Sequence, residues 1–246
     1  MPKRRNESPA PLIWLQADRP RPRQLSREQI VEAAVAVADT GGAQALTMAA
    51  VASRLGSYSA MALYRHVSSK DGLIDLMLDH VVAEVELPGR PGRAWRTDIR
   101  AIASGTWAMA MRHGWYAQLV SSRPPLGPNM MRRTECMLEI LTGQGLAVDE
   151  AMSYAALIDR HIFGSVLQTV EEQAMEHRYG LRDADELARA IRAVRQLAAA
   201  SGNYPILSDW MKQPRIVSPD EQFELGLSFL LDGIAARLRR RTRDER

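Results

Sequence analysis

Apolar residues recur every three or four positions along most of the chain, which is the spacing of one face of an α-helix. No stretch shows the sustained alternation of apolar and polar residues that is typical of a half-buried strand, so the pattern predicts an all-α protein. Four helices are expected in the first part of the chain, ending near Gly41, Gly56, His66 and Leu87. Six more are expected in the second part, over residues 94–112, 115–120, 128–143, 149–177, 183–200 and 218–240.

Capping residues mark where several of these helices begin. Ser26 is followed three positions later by Gln29, and the two form the pattern of a capping box. Thr47 precedes the second helix as a single cap. The last helix begins at Ser218-Pro219-Asp220-Glu221, which supplies a cap, a proline in the first turn and a capping-box glutamate.

A run of prolines and glycines, Pro88-Gly89-Arg90-Pro91-Gly92, interrupts the helical pattern and predicts a domain boundary. The chain is therefore divided into a basic, flexible arm at residues 1–24, a small helical domain with its connecting helix at 25–87, and a larger helical domain at 93–246. A length of 246 residues is enough for such an arrangement with a core of useful size.

Charge is spread unevenly along the chain. The net charge is only +3, but residues 1–27 contain seven Lys or Arg against two acidic residues, which gives this end a charge of +5. A basic arm beside a nearly neutral body indicates an anionic partner such as nucleic acid. The alternative is a disordered tail that keeps the protein soluble, and charge alone does not separate the two.

Composition and motifs count against several classes of protein. No apolar run approaches 20 residues, so no membrane-spanning helix is expected. The single cysteine, Cys136, allows no intramolecular disulfide and favours a reducing, cytoplasmic location. No histidine follows a glutamate by three positions, which excludes a ferritin-like di-metal site. No nucleophile motif or phosphate-binding glycine loop is present either, so we expect no enzymatic activity, cofactor or metal.

The second and third helices are short and are joined by a turn that contains Gly56, the arrangement of a helix-turn-helix. A helix of about two turns is not stable alone, so the third helix must be held by the packing of Leu63 and Val67. Its other face would then point outward, and a helix of this size fits the DNA major groove. Lys70 lies in the first turn of the fourth helix, where free backbone N–H groups attract phosphate.

Two motifs carry a resemblance to a known family. The stretch Thr47-Met48-x-x-Val51-Ala52-x-x-Leu55-Gly56, followed by Leu63-Tyr64-x-His66-Val67-x-x-Lys70, resembles the DNA-binding domain of TetR-family transcriptional regulators. The likeness covers about residues 25–86, and beyond it the chain is similar only in being helical, of suitable length and closed by a capped helix. The resemblance implies a homodimer that binds a palindromic double-stranded DNA operator, responds to a small effector and acts most often as a repressor.

The family motif also implies which residues meet DNA, with Leu63 as the buried anchor. The expected contacts are Thr47, Ser57, Tyr58, Ser59, Ala60, Met61, Ala62, Tyr64, Arg65, His66 and Lys70. The alternative is that Tyr64 and His66 pack between helices and that Arg65 is only a solvated surface charge.

Two departures from the family pattern affect this assignment. The turn after Gly56 is one residue longer than usual, which would offset the tip of the third helix. Ala49-Ala50 stands where relatives with a similar arm often carry arginine. The second departure removes phosphate contacts, which the basic arm would replace.

The last helix carries an apolar stripe that is too wide to be covered from one side only. Phe223, Leu227, Leu230, Leu231 and Ile234 lie along it, and we expect them to form a dimer interface together with helix 149–177. Two glycines seven residues apart, Gly226 and Gly233, would let another helix approach closely. The alternative is a core contained wholly within one chain.

Methionine and aromatic residues are concentrated in the middle helices of the second domain, where they suggest an adaptable apolar cavity. The residues expected to contact a small apolar effector are Trp107, Met111, Trp115, Met137, Tyr154, His161 and Phe163. The alternative is that each is an ordinary core residue. The sequence thus favours a ligand-responsive, sequence-specific DNA-binding regulator that its effector releases from the operator. The competing class is an all-helical small-molecule-binding protein or enzyme with no role at DNA.

Overall fold

The computed structural model describes residues 25–56, 58–123, 126–178, 184–213 and 217–244. All regular elements within these ranges are α-helices, which confirms the all-α prediction. They are α1 (Arg27–Ala45), α2 (Met48–Arg54), α3 (Ala60–Val67), α4 (Lys70–Val82), α5 (Trp95–Arg112), α6 (Trp115–Val120), α7 (Pro128–Thr142), α8 (Val148–Arg178), α9 (Ala184–Ser201), α10 (Pro205–Lys212) and α11 (Pro219–Asp244). Each of the ten expected helices is present close to its expected place.

The sequence pattern did not predict α10, because Gly202 and Pro205 resemble a break. Pro205 instead occupies the first turn of α10, where a helix needs no proline N–H. α1 is kinked at Gly42, whose φ of 73° and ψ of 178° are not helical, which confirms the predicted stop at Gly41-Gly42; one further turn extends from there to Ala45. α4 ends at Val82, a few residues before its expected end, and continues only as turns.

We call α1–α4 the head. α1 packs against α2 and α4, and α3 packs against both of those helices. Leu63 and Val67 of α3 have no exposed surface, as the helix-turn-helix interpretation requires. Ser26 and Gln29 form the expected capping box at the start of α1, and Thr47 caps α2.

We call α5–α8 together with α11 the helical core. α8 is its central element and packs against α5, α6, α7 and α11. Side chains without exposed surface fill the interior, among them Ile102, Met109, Met137, Ile158 and Leu227. α9 and α10 pack mainly on each other and keep several large apolar side chains exposed.

Candidate DNA-binding and effector sites

The outer side of α3 presents most of the side chains expected to contact DNA. The exposed residues there are Tyr58, Ser59, Met61, Tyr64, Arg65 and Lys70, with Ala60, Ala62 and His66 half-buried between them. Met61 is 69% exposed and Tyr64 40% exposed, so both can reach a partner without any change of fold. Leu63 is fully buried, which confirms it as the anchor of α3.

Two hydroxyl groups among the expected DNA contacts cap the N-termini of helices. Thr47 Oγ1 accepts a hydrogen bond from the Ala50 N–H at 3.1 Å, and Ser59 Oγ accepts one from the Ala62 N–H at 3.3 Å. Each hydroxyl still has its own hydrogen to donate, so capping a helix and contacting a phosphate are compatible. Ser57 and the basic arm, the other expected contacts, lie outside the described residues.

The end of α3 is fastened to α1 and turns sharply into α4. Arg27 Nε donates a hydrogen bond to the His66 carbonyl oxygen at 3.1 Å. Ser68 has φ 61° and ψ −38°, and across it the Ser69 N–H donates to the Val67 carbonyl oxygen at 2.6 Å. Such a turn is strained for a residue that carries a side chain. It places Lys70 at the first position of α4, directly after α3.

Five polar side chains connect the head to the helical core, and we call them the junction: Asp39, Glu84, Arg112, His113 and Trp115. His113 Nδ1 lies 2.7 Å from Asp39 Oδ1, and His113 Nε2 lies 3.1 Å from Glu84 Oε1. Trp115 Nε1 donates to the same Asp39 oxygen at 2.6 Å, and Arg112 forms an ion pair with Glu84. Residues of α5 and α6 thereby hold α1 and the end of α4.

The junction stabilises the charged form of Glu84. Partial burial raises the pKa of Glu84, but its hydrogen bonds with Arg112 and His113 outweigh burial and hold that pKa below its usual value.

A second connection between head and core is made by the buried Asp79 of α4. Its carboxylate accepts the backbone N–H groups of Asn129 at 3.2 Å and of Met130 at 2.9 Å, so it caps α7 from another helix. A carboxylate is favourable there because the first turn of a helix carries a partial positive charge. Gly127 lies so close that a Cβ at this position would overlap the Asp79 carboxyl group. Movement of α4 is therefore tied to α7.

Three aromatic rings stack where α5, α8 and α11 meet. The ring centroid of Phe223 lies 4.6 Å from that of Trp107 and 5.3 Å from that of His161, and the planes are nearly parallel. Trp107 Nε1 donates a hydrogen bond to Asp220 Oδ1 at 2.8 Å. His161 Nε2 lies 2.9 Å from the Phe223 carbonyl oxygen, and since that oxygen only accepts, Nε2 carries the hydrogen. We call Trp107, His161 and Phe223 the aromatic stack.

A hollow of about 250 Å³ opens beside Phe223, between α8 and the beginning of α11. Polar side chains make up much of its lining, namely Ser165, Gln168, Thr169, Glu172 and Gln222. This lining is more polar than the small apolar effector of the sequence prediction requires. Its apolar lining consists of Val217, Pro219 and, from the aromatic stack, Phe223.

The seven residues expected to line one cavity do not converge on one place. Trp107 and His161 belong to the aromatic stack. Trp115 belongs to the junction, and its ring and that of Phe163 lie against Tyr116, at centroid distances of 6.2 and 5.6 Å from it. Trp115 therefore lies apart from Trp107, with its indole N–H bound to the head, and its contact with an effector stays a prediction.

The remaining members of that set are further apart. Met137 is fully buried in the core, and Met111 is half-buried on α5. Tyr154 lies on the outer side of α8, where its hydroxyl donates to Glu150 Oε1 at 3.0 Å. Tyr154 thus lines the hollow between α8 and α11, and its contact with an effector stays a prediction.

Of the five residues expected at a dimer interface on α11, Phe223, Leu227 and Leu231 are buried inside the core of their own chain, where a second chain cannot cover them. Leu230 and Ile234 line a hollow between α8 and α11, so a contact of these two with a second chain stays a prediction. The close approach that Gly226 allows is also internal, because a Cβ there would overlap the His161 ring.

A different side of α11 remains exposed. Phe229 is 70% exposed and Leu225 is exposed beside it, as is Leu157 of α8. A hollow of about 180 Å³, where α8 and α11 run side by side, is lined by Leu157 and Phe229 among others. Gly233 borders the hollow and has nothing within 4 Å of an added Cβ. We call this surface the outer face of α8 and α11.

Within the described ranges, no group of three or more His, Cys, Asp or Glu side chains is arranged to hold a metal ion. No helix in the same ranges is long and apolar enough to cross a membrane.

The sequences of the head and of the helical core each match a known protein family. Residues 30–77 match the family described as bacterial regulatory proteins, tetR family, and residues 87–238 match the tetracyclin repressor-like C-terminal domain. The chain belongs to the TetR family. The HTH-type transcriptional repressor DrrR1 of Streptomyces coeruleorubidus is 38% identical to it over 212 residues, which are 85% of this chain and 77% of DrrR1. An HTH-type transcriptional regulator of Saccharopolyspora erythraea is 34% identical over 214 residues, covering 86% and 85% of the two chains.

Solved structures of TetR proteins share the fold of this chain. The TetR family protein ActR of Streptomyces coelicolor, crystallised in complex with actinorhodin, superposes with a TM-score of 0.72 at 27% identity, over 87% of this chain and 99% of ActR. This TetR-family protein is a ligand-responsive DNA-binding repressor, as the sequence predicted. A helical protein with no role at DNA is not favoured, and TetR regulators are generally transcription factors and not enzymes.

Proposed function

We propose that this TetR protein acts in the cytoplasm as a homodimer that binds a palindromic operator through two heads and leaves it when an effector enters the helical core. The proposed DNA contact is supported by the outer side of α3. Met61, Tyr64 and Arg65 are exposed there, on a helix that the buried Leu63 anchors. No carboxylate in the described part of the chain pairs with Arg65 or Lys70. Both cations are therefore free to meet phosphates.

Replacing Lys70 with Ala tests this placement. Loss of one phosphate contact should weaken binding to an operator selected from random DNA and lower the log–log salt slope by about one unit. The matched control is Lys212→Ala, because Lys212 lies on α10, away from the head, and pairs with Asp209 at 2.6 Å. Equal affinity and slope for wild type and Lys70→Ala, with folding intact, would show that Lys70 does not contact the operator.

The dimer interface is proposed on the outer face of α8 and α11. Leu157, Leu225 and Phe229 are exposed on it, and Leu157 and Phe229 line a hollow that a protruding side chain can fill. In a two-fold dimer the same surface of both chains meets itself, so each Phe229 has a hollow opposite. Gly233 leaves room for a closely approaching helix, as the sequence pattern suggested.

Phe229→Asp tests the interface with little risk to the fold, because the side chain is exposed in the single chain. A carboxylate buried between two chains without a partner opposes association. We expect the variant to sediment as a folded monomer at micromolar concentration while the wild type sediments as a dimer. Leu197→Asp is the control, since Leu197 is equally exposed but lies on α9. A dimer that survives Phe229→Asp, or a monomeric wild type, contradicts the proposal.

The effector is proposed to be a small organic molecule that contacts the helical core. ActR, 27% identical to this chain, has been crystallised with actinorhodin. Phe223 lines the polar hollow beside α11, and Gln168 and Gln222 offer hydrogen bonds there. A molecule bound in this hollow would change the fluorescence of Trp107, which stacks on Phe223, and, if it is an effector, would lower operator affinity with a coupling of about 1–3 kcal/mol.

A further inference from the structure

A hollow of about 430 Å³ is lined by side chains of α9 and α10, outside the helical core. Its described lining residues are all polar or charged, and we call the site the basic hollow: Arg192, Arg195, Gln196, Ser208 and Lys212. Each of these side chains carries at least one hydrogen-bond donor, and none of them is acidic. The hollow is therefore suited to a ligand rich in acceptors.

Helical spacing explains why these side chains meet. Arg192, Arg195 and Gln196 are three and four positions apart on α9, so they lie on one face of that helix. Ser208 and Lys212 are four positions apart on α10 and share a face in the same way. Because α9 and α10 pack on each other, one row of donors lies on each side of the basic hollow.

The two arginines of the basic hollow have no partner among the residues that the structure describes. Neither guanidinium forms a hydrogen bond or an ion pair there, and both side chains are exposed. Lys212 Nζ lies 2.6 Å from Asp209 Oδ1, and both of these side chains are largely exposed. Such a surface pair contributes little to stability, so the Lys212 ammonium is able to turn towards a ligand.

Positive charge is concentrated in this part of the chain. Residues 189–215 contain five Lys or Arg against one acidic residue, a charge of +4 in a chain whose total is +3. Three of these five cations line the basic hollow, where they repel one another. An anion bound between them would remove that repulsion.

The types of side chain favour phosphate over carboxylate. A guanidinium binds the oxygens of one phosphate through two parallel N–H groups, so Arg192 and Arg195, one turn apart, offer places for two phosphate groups. A phosphate group carries roughly −1.5 to −2 charges at pH 7. Two linked phosphates therefore balance three cations, whereas a single carboxylate does not.

We infer that the basic hollow binds a small molecule that carries a diphosphate group. Arg192 and Arg195 each hold one phosphate, and Ser208 and Lys212 donate hydrogen bonds to the same group from α10. The site is separate from the proposed effector site and from the outer side of α3. A ligand bound there links α9 to α10.

Isothermal titration calorimetry with inorganic pyrophosphate and with inorganic orthophosphate tests this inference on the full chain. The wild type should bind one pyrophosphate per chain, at least about tenfold more tightly than orthophosphate, because only pyrophosphate engages both arginines. Arg192→Gln and Arg195→Gln should each weaken pyrophosphate binding by about tenfold, the loss of charge-assisted hydrogen bonds. Both side chains are exposed, and glutamine is a good helix former, so the fold is kept.

Arg240→Gln is the matched control. Arg240 is an exposed arginine of α11 that does not line the basic hollow, so its replacement removes the same charge at another place and should leave pyrophosphate affinity unchanged. Three results would overturn the inference: a wild type that does not bind pyrophosphate, equal affinities for pyrophosphate and orthophosphate, or the same loss of affinity for all three glutamine variants.

Two further measurements separate the basic hollow from the DNA-binding surface. Lys70→Ala should bind pyrophosphate as the wild type does, and Arg192→Gln should keep wild-type affinity for the selected operator. If Arg192→Gln weakens operator binding as much as pyrophosphate binding, the hollow contacts DNA phosphates, and the assignment to a small molecule is wrong. A wild type that binds pyrophosphate but no operator refutes only the proposed function.

Discussion

Trp107 and Trp115 lie on consecutive helices, α5 and α6, and stabilise different parts of the molecule. Each indole N–H donates to an aspartate from a distant part of the chain, Trp107 to Asp220 of α11 at 2.8 Å and Trp115 to Asp39 of α1 at 2.6 Å. Trp107 thereby holds the aromatic stack beside the polar hollow, whereas Trp115 holds the head. The two residues are of the same type, and their roles differ because their hydrogen-bond acceptors belong to different helices, α11 for Trp107 and α1 for Trp115.

The short connection between the two tryptophans gives a route from effector region to head. α5 ends at Arg112, and His113 and Gly114 lead directly into α6. Gly114 is held close to α8, since a Cβ there would lie 3.3 Å from a methyl group of Val170. Arg112, His113 and Trp115 of the junction lie in or directly beside this connection, so a displacement of α5 or α6 moves them directly.

Removing the two aspartates should separate the two roles, and this is the largest effect expected. Asp39→Ala leaves both Trp115 Nε1 and His113 Nδ1 without their acceptor, so we expect a loss of about 2–3 kcal/mol in the free energy of unfolding. Operator affinity should fall as well, because the head is no longer held. Asp220→Ala removes one partly exposed hydrogen bond and should cost about 1 kcal/mol with operator affinity unchanged.

Urea unfolding and operator titration of both variants provide the measurement. If Asp39→Ala and Asp220→Ala change operator affinity to the same extent, the two tryptophans do not have different roles.

A pair of glycines on α11 tests the Trp107 side of the comparison, with a smaller expected effect. A Cβ at Gly226 would overlap the His161 ring, which must then leave its stack on Phe223. Gly226→Ala should therefore destabilise the protein by about 1–2 kcal/mol, a cost typical of overpacking. Gly233→Ala meets no neighbour and should be stabilising by about 0.5–1 kcal/mol, the usual gain within a helix.

Thermal or urea unfolding measures whether Gly226→Ala is destabilising and Gly233→Ala is stabilising. Equal effects of the two substitutions would mean that His161 does not pack against Gly226 as described. Sedimentation of Gly233→Ala at the same time reports whether the added methyl group disturbs the proposed dimer.

Local signals explain how much of this structure the sequence could predict. The capping box of Ser26 and Gln29 and the burial of Leu63 depend on residues a few positions apart, and all were predicted. α10 was not predicted, because glycine and proline occur both where a helical pattern is interrupted and around the first turn of a helix. The helix-turn-helix was therefore accessible to sequence reasoning, even though Ser57 within its turn lies outside the described residues.

Long-range contacts explain what the sequence could not predict. The bond between Trp115 and Asp39 joins residues 76 positions apart, and no local pattern marks it. Periodicity identified the wide apolar arc of α11, but it could not tell that Leu227 faces the chain's own core and Phe229 faces outward.

The most direct test of this account measures the distance between the two heads in the proposed dimer. A spin label on Glu32→Cys, an exposed position of α1 that is not among the expected DNA contacts, is introduced with Cys136→Ala so that each chain carries one label. Electron–electron double resonance on the operator complex should give one narrow distance, because two half-sites about one DNA turn apart, roughly 34–36 Å, hold the two heads. Without DNA, the same distance should stay narrow in the labelled protein and become broad when Asp39→Ala is added. Identical distributions with and without Asp39→Ala would contradict the claim that the junction fixes the head to the core.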